Sequence, residues 1–292
     1  MSHPLADIFR EAADLNARDD RREANILHLA PGKDVLATGD LHGHRANLTK
    51  ILAAADLANH PDRRLILQEI IHAPLDARTG HDRSVDVLLR AARLKIAHPE
   101  QVIFLLGNHD VAQAIGNEIT KAGVGMREAF IRGVRYACGS EGAEEILEAI
   151  DAFLLSAPIA ARCPGGVMIS HTLPTPKRMD LAGWDPPAGP YRPEDLRRGG
   201  CVYEWTWGRK QTCEQIDRLA DHLGVCFFIL GHRQIDTGFE FIHPKAVIIT
   251  ADHERGCVLP FPSDAPLTEE TASQCLAPIA ALGRREGPLR QA

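Results

Sequence analysis

The sequence predicts an α/β protein with parallel strand pairing, and three observations carry that expectation. Short apolar runs recur along the chain: Val35-Leu36-Ala37, Leu65-Ile66-Leu67, Val102-Ile103-Phe104-Leu105-Leu106, Val167-Met168-Ile169 and Phe227-Phe228-Ile229-Leu230. Runs of this length, bounded by turn signals, read as buried strands. Segments of helical period separate the first three, and strand–helix alternation implies a parallel sheet. Each run also delivers Asp, Glu, Asn or His just beyond its end, the edge where ligands bind in α/β folds.

Residues 3–30 read as a polar helical lead-in, with Leu5, Ile8, Phe9, Ala12 and Leu15 on one face. Pro31-Gly32 punctuates, and Lys33 to Thr38 is the first strand. The turn Gly39-Asp40-Leu41-His42-Gly43-His44 follows, then a helix over Asn47 to Leu57 with apolar residues at 48, 51, 52 and 55. The second strand is Leu65 to Leu67, followed by a loop at Ile70-Ile71-His72-Ala73-Pro74. A helix is predicted over Ser84 to His98, closed by Pro99, before the strand Val102 to Leu106 and the segment Gly107-Asn108-His109-Asp110.

Residues 111–155 read as helical, with breaks near Gly123-Val124-Gly125 and at Gly139. Leu173 to Gly200, rich in Pro and Gly, reads as a long surface excursion, and Thr212 to Leu223 as a helix. Short β runs then return at 226–230, 239–242, 246–251 and 256–260, suggesting antiparallel strands that complete a second sheet. The organisation expected is a lead-in over 1–30, one domain over 31–262 and a peripheral tail over 263–292.

Composition narrows the partners. The 292 residues carry a net charge of −6, so no broad basic field is available for nucleic acid. No apolar stretch approaches the roughly 20 residues that span a bilayer. The N-terminal stretch lacks the apolar core of a signal peptide. Seven scattered cysteines form no CxxC pair and fit a reducing cytoplasm. A cytoplasmic protein without nucleic-acid or membrane partners is expected; the oligomeric state is not legible.

The side chains delivered to the strand ends suit metal ions. Asp40 and His42 pair a hard carboxylate with an imidazole, which fits Mn²⁺, Fe or Zn²⁺ better than Ca²⁺. Asn108 offers a neutral amide oxygen, and His171 and His232 each follow an apolar run. Two ions about 3.5–4 Å apart need a shared carboxylate, and Glu69 is the acid at the end of the second strand. Taken singly, each has an ordinary alternative. Asp40 and His42 also fit a helix cap and a turn, and Glu69 a surface acid. His72 also fits a plain loop residue, and His171 and His232 satisfied core histidines.

Taken together, Gly39-Asp40-Leu41-His42-Gly43, Gly107-Asn108-His109-Asp110, His171 and Gly231-His232 resemble the calcineurin-like metallophosphoesterase superfamily over residues 35–252. The branch containing phosphoprotein phosphatases and diadenosine tetraphosphate hydrolases is the nearest. The resemblance implies a four-layer α/β/β/α sandwich of two mixed sheets flanked by helices. It also implies two divalent ions, Mn²⁺ foremost. Asp40 and His42 would hold the first ion, Glu69 would bridge, and Asn108, His171 and His232 would hold the second. His109 would face the substrate as the acid. The implied reaction is hydrolysis of a phosphate ester, a monoester such as phosphoserine or phosphothreonine, by a metal-bridging hydroxide. A nucleotide polyphosphate hydrolase and a non-catalytic metal-binding interaction protein are the alternatives.

The chain departs from the family's GDxVDRG block, reading Gln68-Glu69-Ile70-Ile71-His72-Ala73-Pro74. Glu69 replaces the bridging Asp. His72 stands where the family has the Asp that orients the catalytic His, and Ala73 replaces the phosphate-binding Arg. Arg209, within Glu204-Trp205-Thr206-Trp207-Gly208-Arg209, and Arg45 are the foremost substitutes for that Arg, with Arg78 and Arg178 behind them. Gln234, two places after His232, lies where many superfamily members carry a further His; its presence favours the phosphoprotein phosphatase branch.

Overall fold

Alternation within the strands builds the architecture. A computed structural model describes residues 2–176 and 187–283. In it, Val35, Ala37, Ile66, Ile103 and Leu105 point to one side of their sheet and pack with Val167, Ile169, Phe227, Ile229, Val247 and Ile249 of another. The intervening residues Leu36, Leu65, Leu67, Val102, Phe104, Met168, Phe228 and Ile248 point outward into a cluster shared with the helices. Both faces of each sheet are therefore buried, as expected for sheets whose crossovers are helical. The result is the four-layer sandwich.

The chain supplies strands β1 (Arg22–Glu23), β2 (Ile26–His28), β3 (Asp34–Asp40), β4 (Arg63–Gln68), β5 (Val102–Leu105), β6 (Thr120–Lys121) and β7 (Val124–Gly125). It continues with β8 (Ala160–Arg162), β9 (Val167–Ser170), β10 (Phe227–Leu230), β11 (Phe239–His243), β12 (Ala246–Ile249), β13 (Cys257–Pro262) and β14 (Ala277–Pro278). The helices are α1 (Pro4–Ala17), α2 (Arg45–Ala55), α3 (Ser84–Ala97), α4 (Asn108–Ala114), α5 (Met126–Cys138), α6 (Ala143–Ser156), α7 (Cys201–Trp207), α8 (Cys213–Leu223) and α9 (Glu269–Cys275). One sheet runs β14-β13-β3-β4-β5 and the other β1-β2-β8-β9-β10-β12-β11. The strands β3, β4 and β5 pair in parallel, as do β9, β10 and β12.

Three expectations are corrected. The lead-in helix stops at Ala17, and residues 22–28 enter the larger sheet as β1 and β2. The C-terminal β runs are not a separate antiparallel set. β11 folds back on β12, which leaves β12 parallel to β10, and β13 crosses to the other sheet, antiparallel to β3. The segment after residue 262 is also integrated: β14 extends the smaller sheet, and Ala272 and Ile279 are buried. The predicted excursion at 173–200 lies partly outside the described residues. No helix among those described is long and apolar enough to cross a membrane.

The two sheets meet where the site forms. Asp40, the last residue of β3, bridges in parallel to Thr250 just past β12, and Ala251 N–H donates to the Asp40 carbonyl at 3.0 Å. Pairing also runs past the strand ends. His42 N–H donates to Glu69 O at 2.8 Å, Gly43 N–H to Ile70 O at 2.7 Å, and Gly231 N–H to His171 O at 3.0 Å. These bonds hold the polar turns in register with the strands beneath them.

On the outer layer, α1 packs against α6 and α3. Phe153 of α6 meets Phe9 at 6.0 Å and Phe104 at 5.0 Å between ring centroids. Phe153→Ala would leave a cavity at this three-element junction, an expected loss of about 3–5 kcal/mol. A denaturant titration that moves the midpoint without changing its slope would register it.

Candidate metal centre

Side chains from five strand ends converge. Asp40 ends β3, and His42 lies two residues on, in the turn before α2. Glu69 follows β4, Asn108 and His109 open α4 after β5, His171 follows β9 and His232 follows β10. All seven are buried. The N-cap of α2 is His44, whose Nδ1 accepts from Asn47 N–H at 3.2 Å, so Asp40 and His42 are not needed as caps.

The ligand atoms face one another. Asn108 Oδ1 lies 2.9 Å from His171 Nε2 and 2.7 Å from His232 Nδ1, and those two nitrogens are 3.0 Å apart. His171 Nδ1 is 3.3 Å from Asp40 Oδ1, and Glu69 lies 3.5 Å from both His42 Nε2 and His171 Nε2. Two ligand sets emerge, His42–Glu69–His109 and Asp40–Glu69–His171, each with its atoms within 4.8 Å of one another. Glu69 belongs to both, the position of a bridge.

Backbone donors orient the carboxylates. His232 N–H donates to Asp40 Oδ2 at 2.9 Å, and His109 N–H donates to Glu69 Oε1 at 2.6 Å. Two glycines make these approaches possible. A Cβ on Gly231 would sit 2.4 Å from Asp40 Oδ1, and one on Gly107 would sit 2.2 Å from Glu69 Cγ. Strain gathers here as well. Of the seven non-glycine residues with positive φ among those described, four are His42, Glu69, His72 and His232. Such backbone costs on the order of 1–3 kcal/mol per residue and persists where surrounding structure enforces it.

The electrostatics fit cations. Burial pushes the Asp40 carboxyl up, but His171, with His42 and the His232 N–H, together outweigh it and hold Asp40 well below the usual carboxylate range. Burial raises Glu69 well above that range, with Asp40 and Asp110 adding to the rise. Burial, then His171 and Arg209, pushes His232 down. Asp40 Oδ1, His171 Nδ1, His232 Nε2 and Asn108 Nδ2 are buried without a hydrogen-bond partner. Three of these are lone-pair donors, and buried polar atoms without partners are rare. Two carboxylates, three imidazoles and an amide oxygen form a donor set suited to divalent transition ions. These residues therefore fit a metal centre.

His109 stands at the rim of the set, its ring 4.8 Å from that of His42. Its Nδ1 lies 2.8 Å from His72 Nδ1, so His72 does meet the candidate acid in place of a carboxylate. Burial, with His42 and His72 nearby, drives His109 far below the ordinary histidine range, and burial lowers His72 to about 3.

The cations are less centred. Arg209 is exposed, with its charge acting on His232. Arg45 points away into an ion pair with Asp86 at 2.7 Å and is not brought to the cluster. Arg78 is exposed in a surface turn, and Arg178 lies outside the described residues. Trp205 is fully buried core, while Trp207 is half-buried and stacks on Tyr203 at 5.3 Å. His253 is spent on the Ile235 carbonyl at 2.9 Å.

Sequence reasoning missed Lys121, Gln113 and Asp151. Lys121 lies exposed on the β6–β7 hairpin, and its charge acts on His42, Glu69 and His109. The glycines at 123 and 125 signalled a turn there but gave no direction for the lysine. Gln113 follows His109 by four residues on α4, a spacing that shares a helix face and was readable.

A scan against protein-family models finds no match, and no curated protein matches the sequence. Solved structures do. A protein serine/threonine phosphatase from Saccharomyces cerevisiae aligns over 88% of this chain and 81% of its own, with a TM-score of 0.64 at 15% identity. A cold-active protein-tyrosine phosphatase of the psychrophile Shewanella sp. aligns over 82% of this chain and 78% of its own, with a TM-score of 0.55 at 13% identity. At these identities the likeness is one of fold. The chain carries the calcineurin-like α/β/β/α fold that its motifs pointed to.

Proposed function

We propose that this protein is a metal-dependent phosphoesterase that hydrolyses phosphate monoesters, with phosphoserine and phosphothreonine side chains as the favoured substrate class. One observation carries the reading: two carboxylates, an amide oxygen and three imidazoles converge where the two sheets meet, with a further histidine beside them. Asp40 and His42 would hold one divalent ion and Asn108, His171 and His232 a second, with Glu69 shared between them. Mn²⁺ is the expected metal. Such a pair supplies Lewis acidity at the phosphoryl group and lowers the pKa of the attacking water.

The chain's own residues do the rest. The backbone N–H groups of His232 and His109 hold Asp40 and Glu69 in place before any ion arrives. His109 faces the leaving oxygen and stabilises the charge that develops on it, a contribution of roughly 10²–10⁴ in rate for a well-placed acid. Ala73 offers no charge to the substrate phosphate. Lys121 and Arg209, exposed with fields that reach the cluster, are the cations that supply it.

The test is hydrolysis of p-nitrophenyl phosphate by chelator-stripped protein with Mn²⁺ restored, followed by a phosphopeptide set against a dinucleoside polyphosphate. Metal-dependent release of nitrophenol and cleavage of the phosphopeptide are expected. Preference for the polyphosphate would move the substrate class to nucleotides. Stoichiometric metal with no ester cleaved would make the centre a binding site without turnover.

A further inference from the structure

The contact between His109 and His72 does not end there. His72 Nε2 lies 3.3 Å from Gln113 Oε1, and Gln113 Nε2 donates to Asp151 Oδ1 at 3.3 Å. Four side chains from three places in the fold thus form one line: His109 and Gln113 on α4, His72 in the loop after β4, and Asp151 on α6. His72 and Gln113 are 1% exposed, so water does not complete their hydrogen bonding. The His72 ring is also packed edge-on against Phe130 at 5.7 Å, and its backbone N–H donates to Ser84 Oγ at 3.1 Å.

The donors and acceptors fix the direction of this line. A carboxylate only accepts, so Gln113 turns its NH₂ group to Asp151 and its carbonyl oxygen to His72. That oxygen also only accepts, so His72 carries its proton on Nε2. The lone pair of His72 is then on Nδ1, which takes the N–H of His109 Nδ1. His109 keeps its proton on Nδ1, and its Nε2, free of the line, is the atom that takes up a second proton to serve the leaving oxygen. Where the family resemblance expects a carboxylate directly against the acid, this chain has an imidazole there. The carboxylate stands two hydrogen bonds further out.

We propose that Gln113 and Asp151 are positioning residues, which set the tautomers of His72 and His109 and aim the His109 ring at the metal centre. The consequence for turnover rests on the phosphoesterase reading; the tautomers do not. Neither residue belongs to a candidate ligand set. Their effect passes through the orientation of His109, as an outlying hydrogen bond commonly sets which nitrogen of a histidine is protonated.

The experiment is ¹⁵N-histidine NMR of the full chain, reading each ring through its two-bond proton–nitrogen correlations, together with steady-state kinetics. The wild type is expected to show His72 protonated on Nε2 and His109 on Nδ1. Asp151→Asn, isosteric and able to pair in either sense, is expected to give mixed tautomers at His72. Gln113→Leu is expected to lose the Nε2-protonated form of His72 altogether. In both variants kcat should fall roughly 10-fold or more with KM and metal content unchanged, the pattern of a misdirected acid. Finding His109 Nδ1 without a proton in the wild type would overturn the proposal. So would tautomers in Asp151→Asn identical to the wild type, an outcome that does not depend on Gln113→Leu folding. If the tautomers are as stated and no ester is cleaved, the positioning line stands and the phosphoesterase reading fails.

Discussion

Asp40→Asn is expected to strip the protein of stoichiometric metal and to lower turnover of a phosphate monoester by roughly three orders of magnitude, the scale of losing a principal electrostatic stabiliser. The substitution removes a charge but little shape. The retained oxygen still accepts the N–H of His232, which now meets Asp40 Oδ2 at 2.9 Å. The lost carboxylate oxygen is the one that faces His171 Nδ1 and has no hydrogen-bond partner. A structural role and a ligand role therefore separate in the stability gained on adding metal. Without metal, Asn at position 40 relieves the repulsion on buried Glu69 but gives up the attraction of His171 that keeps Asp40 ionised, so the metal-free variant should be modestly less stable than the metal-free wild type. With Mn²⁺ at a hundred times its dissociation constant, the wild type should gain about 2.7 kcal/mol, and the variant should gain almost nothing. Elemental analysis and paired melting curves decide it. Full metal occupancy in Asp40→Asn would remove Asp40 from the ligand set.

Much of this centre was legible because its ligands follow directly on buried strands. An apolar run of three to five residues fixes where a strand ends, and the polar residues just past it are carried to the sheet edge whatever the tertiary detail. Asp40, Glu69, Asn108, His171 and His232 each lie two or three residues past such a run, and the family resemblance singled them out among their polar neighbours. The rule says nothing about which strands become neighbours. β13 was read as part of the second sheet because pairing with β3 involves partners such as Val258 and Thr38, far apart in the chain. β1 and β2 span two and three residues, too short to show a period of two. The same limit hid the outer end of the histidine line. His109 and Gln113 share a face of α4, so their proximity was readable, but Asp151 reaches Gln113 only through the packing of α6 on α4. Charge was the hardest to place. Arg45 looked as available as Arg209 in the sequence, and only the geometry of α2 and α3 commits it to Asp86.

His109→Asn is expected to leave the metal bound and to slow kcat by roughly 10²–10⁴, the range for removing a positioned acid, with KM little changed. The bond that orients Glu69 comes from the backbone N–H of residue 109, so the bridge survives loss of the ring. The ring itself is held from outside the metal centre, by His72 at 2.8 Å, and a side chain held in that way is arranged to act on something that arrives. His109 nevertheless brings a nitrogen into the same small volume as His42 and Glu69, close enough for ligation. The two roles separate in one variant. A ligand lost to Asn would take one equivalent of metal with it and depress metal affinity in proportion. An acid lost to Asn would leave both ions in place and cost most with poor leaving groups. Nitrophenolate departs without help, so the penalty on p-nitrophenyl phosphate should be the smaller and that on phosphoserine the larger. Equal penalties on the two esters together with a missing equivalent of metal would make His109 a ligand, and the acid would have to be sought elsewhere.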